Sequence, residues 1–189
     1  MLMIPDTRDA ILTAARSRAQ SHGYNGLSFR ELAKDVGIKS ASIHYHFPTK
    51  GDLGAVLAQL YSAHAQADLD AVLERTNSPA ARLAAYVALF RRALEDGNRM
   101  CLCGIMAAEY DDLPGAVKAE VAAFADLNVE WLTKALADAD APPGQASEQW
   151  ARAIHAAIGG AQLAARSRND IALFDDIVAT YRASGLIPA

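Results

Sequence analysis

The sequence predicts an all-α protein, and three observations carry that prediction. Apolar residues recur at spacings of three and four along most of the chain, and no stretch alternates apolar with polar as a half-buried strand would. Gly23, Gly37, Pro48, Pro79 and Pro114 fall between the periodic stretches, where helices stop and start. Alanine, the strongest helix former, is enriched throughout. The 189 residues are 52% hydrophobic and 21% charged, a globular balance that argues against wholesale disorder.

The first predicted helix runs from Thr7 to His22, with Ile11, Ala15 and Ala19 at i, i+4, i+8, Leu12 beside them, and Gly23 as its stop. Ser28-Phe-Arg-Glu31 reads as a capping box: the serine hydroxyl takes an amide of the first turn while Glu31 reaches back. It opens a second helix with Phe29, Leu32, Ala33 and Val36 on one face, broken by Gly37. A third covers Ser40–His46 and cannot pass Pro48. Thr49 caps a longer fourth helix through about Arg75. Ser78-Pro79 sets a cap and an N1 proline before a fifth, whose stripe is Leu83, Tyr86, Val87, Phe90 and Leu94. After a break at Gly97-Asn98 come a short helix over about 101–110 and, from Pro114 to about Asp138, one bearing Val117, Val121, Phe124, Trp131 and Ala135. Ala141-Pro-Pro-Gly144 is the clearest loop. Helices from about Ser147 to Arg168 and Asp170 to Ser184 bring the total to about nine.

Charge separates the chain into two parts. Residues 1–52 carry seven Lys/Arg against five Asp/Glu, a net of +2, while the remainder carries 11 against 17, a net of -6. Only the first part could approach a phosphate backbone. The start of the chain lacks a basic segment followed by an apolar one, and no apolar run nears the roughly 18 residues of a membrane span. The expectation is a cytoplasmic protein without a membrane partner.

Two short helices joined by a glycine-containing turn, in a locally basic stretch, describe a helix-turn-helix. Lys39, Ser40, Ser42 and His44 form an outer face able to meet base edges or phosphates. Ile43 and Phe47 face the core, Tyr45 and His46 reach for phosphate at the helix end, and Lys50 stands at the start of the next helix. The bland alternative is a polar surface helix. The run from Gly23 to Leu53, with Tyr45-His46-Phe47 followed by Lys50, resembles the DNA-binding domain of the TetR family of one-component repressors. It departs from the family in carrying Lys39-Ser40 where Ser-Lys is usual. The resemblance implies a helix-turn-helix domain over residues 1–52 that binds palindromic operators as a homodimer. It also implies a six-helix effector-binding and dimerisation body over 53–189. With Ser28 and Arg30, the expected DNA-facing set is Ser28, Arg30, Lys39, Ser40, Ser42, His44, Tyr45, His46 and Lys50. For the dimer, the small residues between Trp150 and Ala165, with Ile171, Phe174, Ile177, Val178 and Tyr181, suit a four-helix interface; burial within one chain would look the same.

By the same resemblance the effector lies within the body, among Tyr61, His64, Tyr86, Phe90, Met106, Tyr110, Phe124, Asn128 and Trp131. Asn128 is a polar group on an apolar face and needs partners from protein or ligand. His64 and His155 lack metal-ligand spacing, so no metal is expected, and no motif calls for a cofactor. Cys101 and Cys103, at i and i+2, point to nearly opposite sides of a helix and are poorly placed for a mutual disulfide. Both stand at a helix start with Arg91, Arg92 and Arg99 near in sequence, a setting that favours thiolate. Cys101-Leu102 with Ala108-Glu109 beyond resembles a subgroup of the family that responds to electrophiles such as N-ethylmaleimide and quinones, which implies a reactive thiol at Cys101. The alternative is two small buried hydrophobes. The expected function is thus a regulator, in the first instance a repressor, released from DNA when an effector or thiol adduct shifts the body's conformational population and helix four moves the reading heads out of register. A helical interaction module or a small thiol enzyme is the rival reading; the sequence shows no base paired with Cys101.

Overall fold

A computed structural model describes residues 6–139 and 146–188. The described residues form nine α-helices and no strand. In chain order they are α1 (Thr7–His22), α2 (Phe29–Val36), α3 (Ser40–His46), α4 (Lys50–Arg75), α5 (Pro79–Glu95), α6 (Leu102–Ala107), α7 (Gly115–Ala135), α8 (Ser147–Arg168) and α9 (Ile171–Ala183). A 3-10 turn, Tyr110–Asp112, separates α6 from α7. The loop expected at Ala141-Pro-Pro-Gly144 lies outside the described residues.

Helix boundaries follow local chemistry closely, with one exception in the caps. Asp6 caps α1, Ser78 caps α5 and Asp170 caps α9, each accepting from a first-turn amide. Ser28 is the N-cap of α2, but its side chain makes no cap bond. The expected capping box fails because Glu31 is held elsewhere: its carboxylate accepts from Lys34 Nζ at 2.9 Å and from Arg30 Nε at 3.3 Å. A capping box forms instead at the head of α4. There Thr49 Oγ1 accepts from the Asp52 amide at 3.1 Å, and Asp52 Oδ2 accepts from the Thr49 amide at 3.0 Å. The start of α3 settles the Lys39-Ser40 inversion, since Lys39 is the extended N-cap of α3 and Ser40 its first residue. Farther on, α7 ends at Ala135 rather than near Asp138.

By packing, the chain divides into two compact units. The first comprises residues through Tyr61 together with Leu102–Ala122. Its core joins Ile11, Ala15 and Ala19 of α1, Leu32 of α2, Ile43 and Phe47 around α3, and Leu53 and Leu57 of α4. Leu102, Met106, Leu113 and Val117 from α6 and the start of α7 complete it. The second unit comprises Ser62–Cys101 and the chain from Ala123 onward. In it α8 packs on α9, and both pack on α5.

This second core uses up much of the apolar surface expected for subunit contact. Trp150, Ala151, Ile154, Ile158, Ala161 and Ala165 of α8, and Phe174 and Val178 of α9, are buried within one chain. The face of α8 that remains outward carries Arg152, Ala153, Ala156, Gly160 and Leu163. A bidentate ion pair ties α5 to α9, Arg91 Nε and Nη2 donating to Asp175 at 2.8 and 2.9 Å.

Candidate functional site

The turn between α2 and α3 is built on one backbone requirement. Gly37 ends α2 at φ 76°, ψ 30°, a left-handed conformation that a Cβ disfavours, and its amide bonds back to Ala33 and Lys34. Two residues later α3 begins. Ile43 is fully buried and Phe47 nearly so, and together they fix which side of α3 faces inward. Of the face expected from the sequence, Lys39 and His44 are exposed and Ser40 and Ser42 half-buried; Ala41 and Tyr45 are exposed beside them and His46 is half-buried. Tyr45, at 84% exposure, is the most open large apolar side chain among the described residues. Such a ring has no packing reason to face water. Arg30 is exposed on α2 beside Glu31, and Ser28 is half-buried at its start.

Two members of the expected set are held more tightly than the sequence suggested. The His44 ring meets Phe29 edge-on at 4.7 Å, with Nδ1 3.4 Å from the Pro48 carbonyl. The Lys50 ammonium lies over the Tyr24 ring, 4.2 Å from its centroid. Burial holds the Lys50 pKa below the ordinary lysine value, while attraction to Glu109 and Asp112 works the other way. Arg18 of α1 forks onto Asp35 of α2, with one contact at 3.0 Å. The hydrogen bond from Arg18 keeps the Asp35 carboxyl below its usual range, and Lys34 does the same for Glu31. These pairs are largely exposed, so each adds little stability; only the Arg18 contacts join α1 to α2, while Lys34–Glu31 lies within α2.

The candidate effector residues divide between the two units. Tyr61, Cys103, Met106 and Tyr110 belong to the first, whereas His64, Tyr86, Phe90, Cys101, Phe124, Asn128 and Trp131 belong to the second. His64 is exposed, as is Tyr110; Tyr61 is half-buried. Met106 is fully buried in the first core. In the second unit the structure gathers a buried aromatic group: Trp131 stacks on Tyr86 at 5.6 Å, and Phe90 and Phe124 flank His155.

Asn128 finds its partners in the protein. Its Oδ1 accepts from the Tyr86 hydroxyl at 3.0 Å and its Nδ2 donates to the Phe124 carbonyl at 2.7 Å. His155 joins the same hydroxyl, and burial keeps its pKa below 6.5. Tryptophan and glutamine anchors complete the arrangement. Trp131 Nε1 donates to the Leu69 carbonyl at 2.9 Å. Gln162, fully buried, accepts from the Cys101 amide at 3.0 Å and donates to the Phe90 carbonyl at 2.7 Å.

Both cysteines are buried, Cys101 at 6% exposure and Cys103 at 2%. The three arginines near them in sequence are engaged with carboxylates: Arg91 with Asp175 and Glu95, Arg92 with Asp68, Arg99 with Asp96. Burial raises the pKa of the Tyr86 hydroxyl, and the negative charge that Cys101 carries as a thiolate raises it further. Among the described residues no group of three or more His, Cys, Asp or Glu could hold a metal ion, and no helix is long and apolar enough to cross a membrane.

Sequence reasoning assigned no role to Tyr24, Glu109, His155 or Gln162. Their partners lie 61 to 85 residues away, so no local pattern marks them.

Solved structures match 94 to 97% of this chain. The sequence profile described as "Bacterial regulatory proteins, tetR family" matches residues 11–55, the stretch from within α1 to the start of α4. A TetR-family transcriptional regulator from Agrobacterium tumefaciens is 31% identical, with 97% of this chain and 98% of that chain covered and a TM-score of 0.89. A TetR transcriptional regulator from Legionella pneumophila is 28% identical over 97% and 99% of the two chains, with a TM-score of 0.89. The reduced form of E. coli NemR shares the fold at 20% identity, covering 94% and 96%, with a TM-score of 0.81. No curated protein matches.

Proposed function

The chain belongs to the TetR family of bacterial transcriptional regulators, and from that premise we propose that it reads a palindromic operator with α3, represses from it, and leaves it when an effector binds. As a family these are DNA-binding regulators and not enzymes. One observation carries the reading: Ile43 and Phe47 anchor α3 while Lys39, His44 and Tyr45 stand out from it. A short helix anchored along one side and polar along the other fits the major groove. Ser28, Arg30 and His46 flank that face and supply phosphate contacts in this proposal, with Ser40 and Ser42 at its edge.

A palindrome calls for two reading heads, so the functional form is a homodimer in the cytoplasm, where the DNA is. Continuity of α4, whose first residues belong to one unit and whose later ones belong to the other, supports its part in release. An effector bound in the second unit, beside Tyr86, Phe90 and Trp131, acts only through its differential affinity for the bound and released conformations.

A thiol-reactive effector is the finer form of this proposal, with the Cys101 sulfur as the reacting atom. Its burial makes adduct formation slow in the folded protein, and an adduct there has to displace packed neighbours. The test is a gel shift of labelled DNA at rising salt, since phosphate contacts make affinity fall steeply. Salt-independent or absent binding rejects the reading. N-ethylmaleimide should release DNA from the wild type but not from Cys101→Ser; equal release from both removes the thiol role alone.

A further inference from the structure

The turn from α1 into α2 hangs on a residue far down the chain. Glu109, just beyond α6, accepts the Tyr24 amide on one carboxylate oxygen and the Asn25 amide, at 3.2 Å, on the other. Beside it, Asp112 Oδ2 accepts from the Asn25 side-chain amide at 2.7 Å. The turn's shape admits this carboxylate and little else. Gly23 sits at φ 73°, and a Cβ there would collide with the Glu109 carboxylate. Gly54 of α4 makes room for the Tyr24 ring, which a Cβ would approach to 2.8 Å. Tyr24 and Leu27 are buried on either side, so the turn is pinned below by apolar packing and above by Glu109. The same two carboxylates attract the Lys50 ammonium lying over Tyr24.

Resting on the DNA-binding reading above, we propose that Glu109 is a positioning residue for sequence recognition. It never meets DNA itself; it sets the angle at which α2 and α3 leave α1. One carboxylate serves two amides because it has acceptors on both oxygens. A glutamine offers one acceptor, and its NH2 group would face an N–H. Losing the clamp loosens the turn, so α3 no longer meets its bases at a fixed register. Phosphate contacts survive, because they tolerate small displacements and because Lys50 is released toward DNA.

The probe is the duplex that the wild-type chain selects from a random library, compared with a scrambled duplex of equal length. Glu109→Gln should lower the ratio of selected to scrambled affinity about tenfold, the scale of one charge-assisted hydrogen bond, while scrambled binding stays within about twofold of wild type. A purely structural defect would weaken both duplexes together and leave the ratio alone. Amide exchange at Tyr24 and Asn25 should quicken in the variant, with Leu32 unchanged. Asp112→Ala, at the exposed surface, should give a smaller fall in the ratio and keeps the test alive should Glu109→Gln not fold. A ratio within about twofold of wild type in the folded variants overturns the inference, as does unchanged exchange at the two amides. A wild-type chain that selects no duplex overturns the DNA reading and this inference with it.

Discussion

The phenolic oxygen of Tyr86 lies 2.8 Å from Nδ1 of His155 inside the second unit. The same oxygen is 3.0 Å from Asn128 Oδ1, an atom that can only accept. With its one proton given to Asn128, Tyr86 accepts from His155, which fixes the imidazole as the neutral Nδ1–H form. Burial disfavours a second proton and keeps the His155 pKa below 6.5. The unfolded chain therefore takes up that proton first as pH falls. Stability should decline on acidification below about 6.5, by no more than about 1.4 kcal/mol per pH unit for this one site. Urea unfolding between pH 5 and 8 measures it. His155→Gln should remove that component of the slope, and identical profiles would refute the assignment.

Deleting the shared hydroxyl should be felt twice. Tyr86→Phe leaves both Asn128 Oδ1 and His155 Nδ1 short of a partner in a buried setting, so about 1–3 kcal/mol of stability should be lost. Chemical denaturation checks this, and a neutral result would mean water replaces the hydroxyl.

Two of the serine and threonine caps, Thr49 and Ser28, offer a contrast. Thr49→Ala removes a working capping box and should cost about 1 kcal/mol. Ser28→Ala removes a side chain that makes no cap bond and should change stability by less than about 0.5 kcal/mol. Thermal or urea midpoints of the pair decide it; equal losses would count against the observed arrangement.

Arg82, at 8% exposure, is a buried cation whose acceptors are neutral. It donates to the Thr76 carbonyl at 2.8 Å, to Ala135, the last residue of α7, at 3.5 Å and to Asn77 Oδ1 at 3.3 Å. The guanidinium thus finishes the ends of α4 and α7 together, where carbonyls lack intrahelical partners. Arg82→Met should destabilise by about 2 kcal/mol, and Arg82→Lys should not restore it, because one ammonium cannot span three acceptors.

On DNA the two lysines should part company. Lys39, exposed at the cap of α3, should when changed to alanine both weaken binding and alter preference among operator variants. Lys50→Gln should weaken all duplexes alike, by less than about tenfold, because its ammonium already rests on Tyr24. Competition binding with a panel of single-base variants separates the outcomes. If Lys50→Gln alone shifts base preference, the roles given to these residues are reversed.

Much of the candidate site was legible because its signals are local. Gly37 marks a left-handed turn, Pro48 ends α3, and the spacing of Ile43 and Phe47 says which side turns inward. Where sequence reasoning went astray, a local rule met a distant or competing partner. Ser28-Phe-Arg-Glu31 has the letters of a capping box, yet Lys34 and Arg30 claim the glutamate first. The arginines near Cys101 in sequence pair with carboxylates that no local pattern marks, Arg91 with Asp175 of α9 and Arg92 with Asp68 of α4.

By itself, then, the sequence determined an all-helical chain, the stops at Gly23 and Gly37, and the inward side of α3. Each of those depends on residues within one or two turns of one another. Only the tertiary structure decided that Glu109 fastens the turn at Tyr24, that Asn128 and His155 share Tyr86, and that α8 spends its apolar side within its own chain. Such pairings depend on how whole helices pack, and a side chain's partner across 42 to 85 residues is fixed by that packing rather than by its neighbours in sequence.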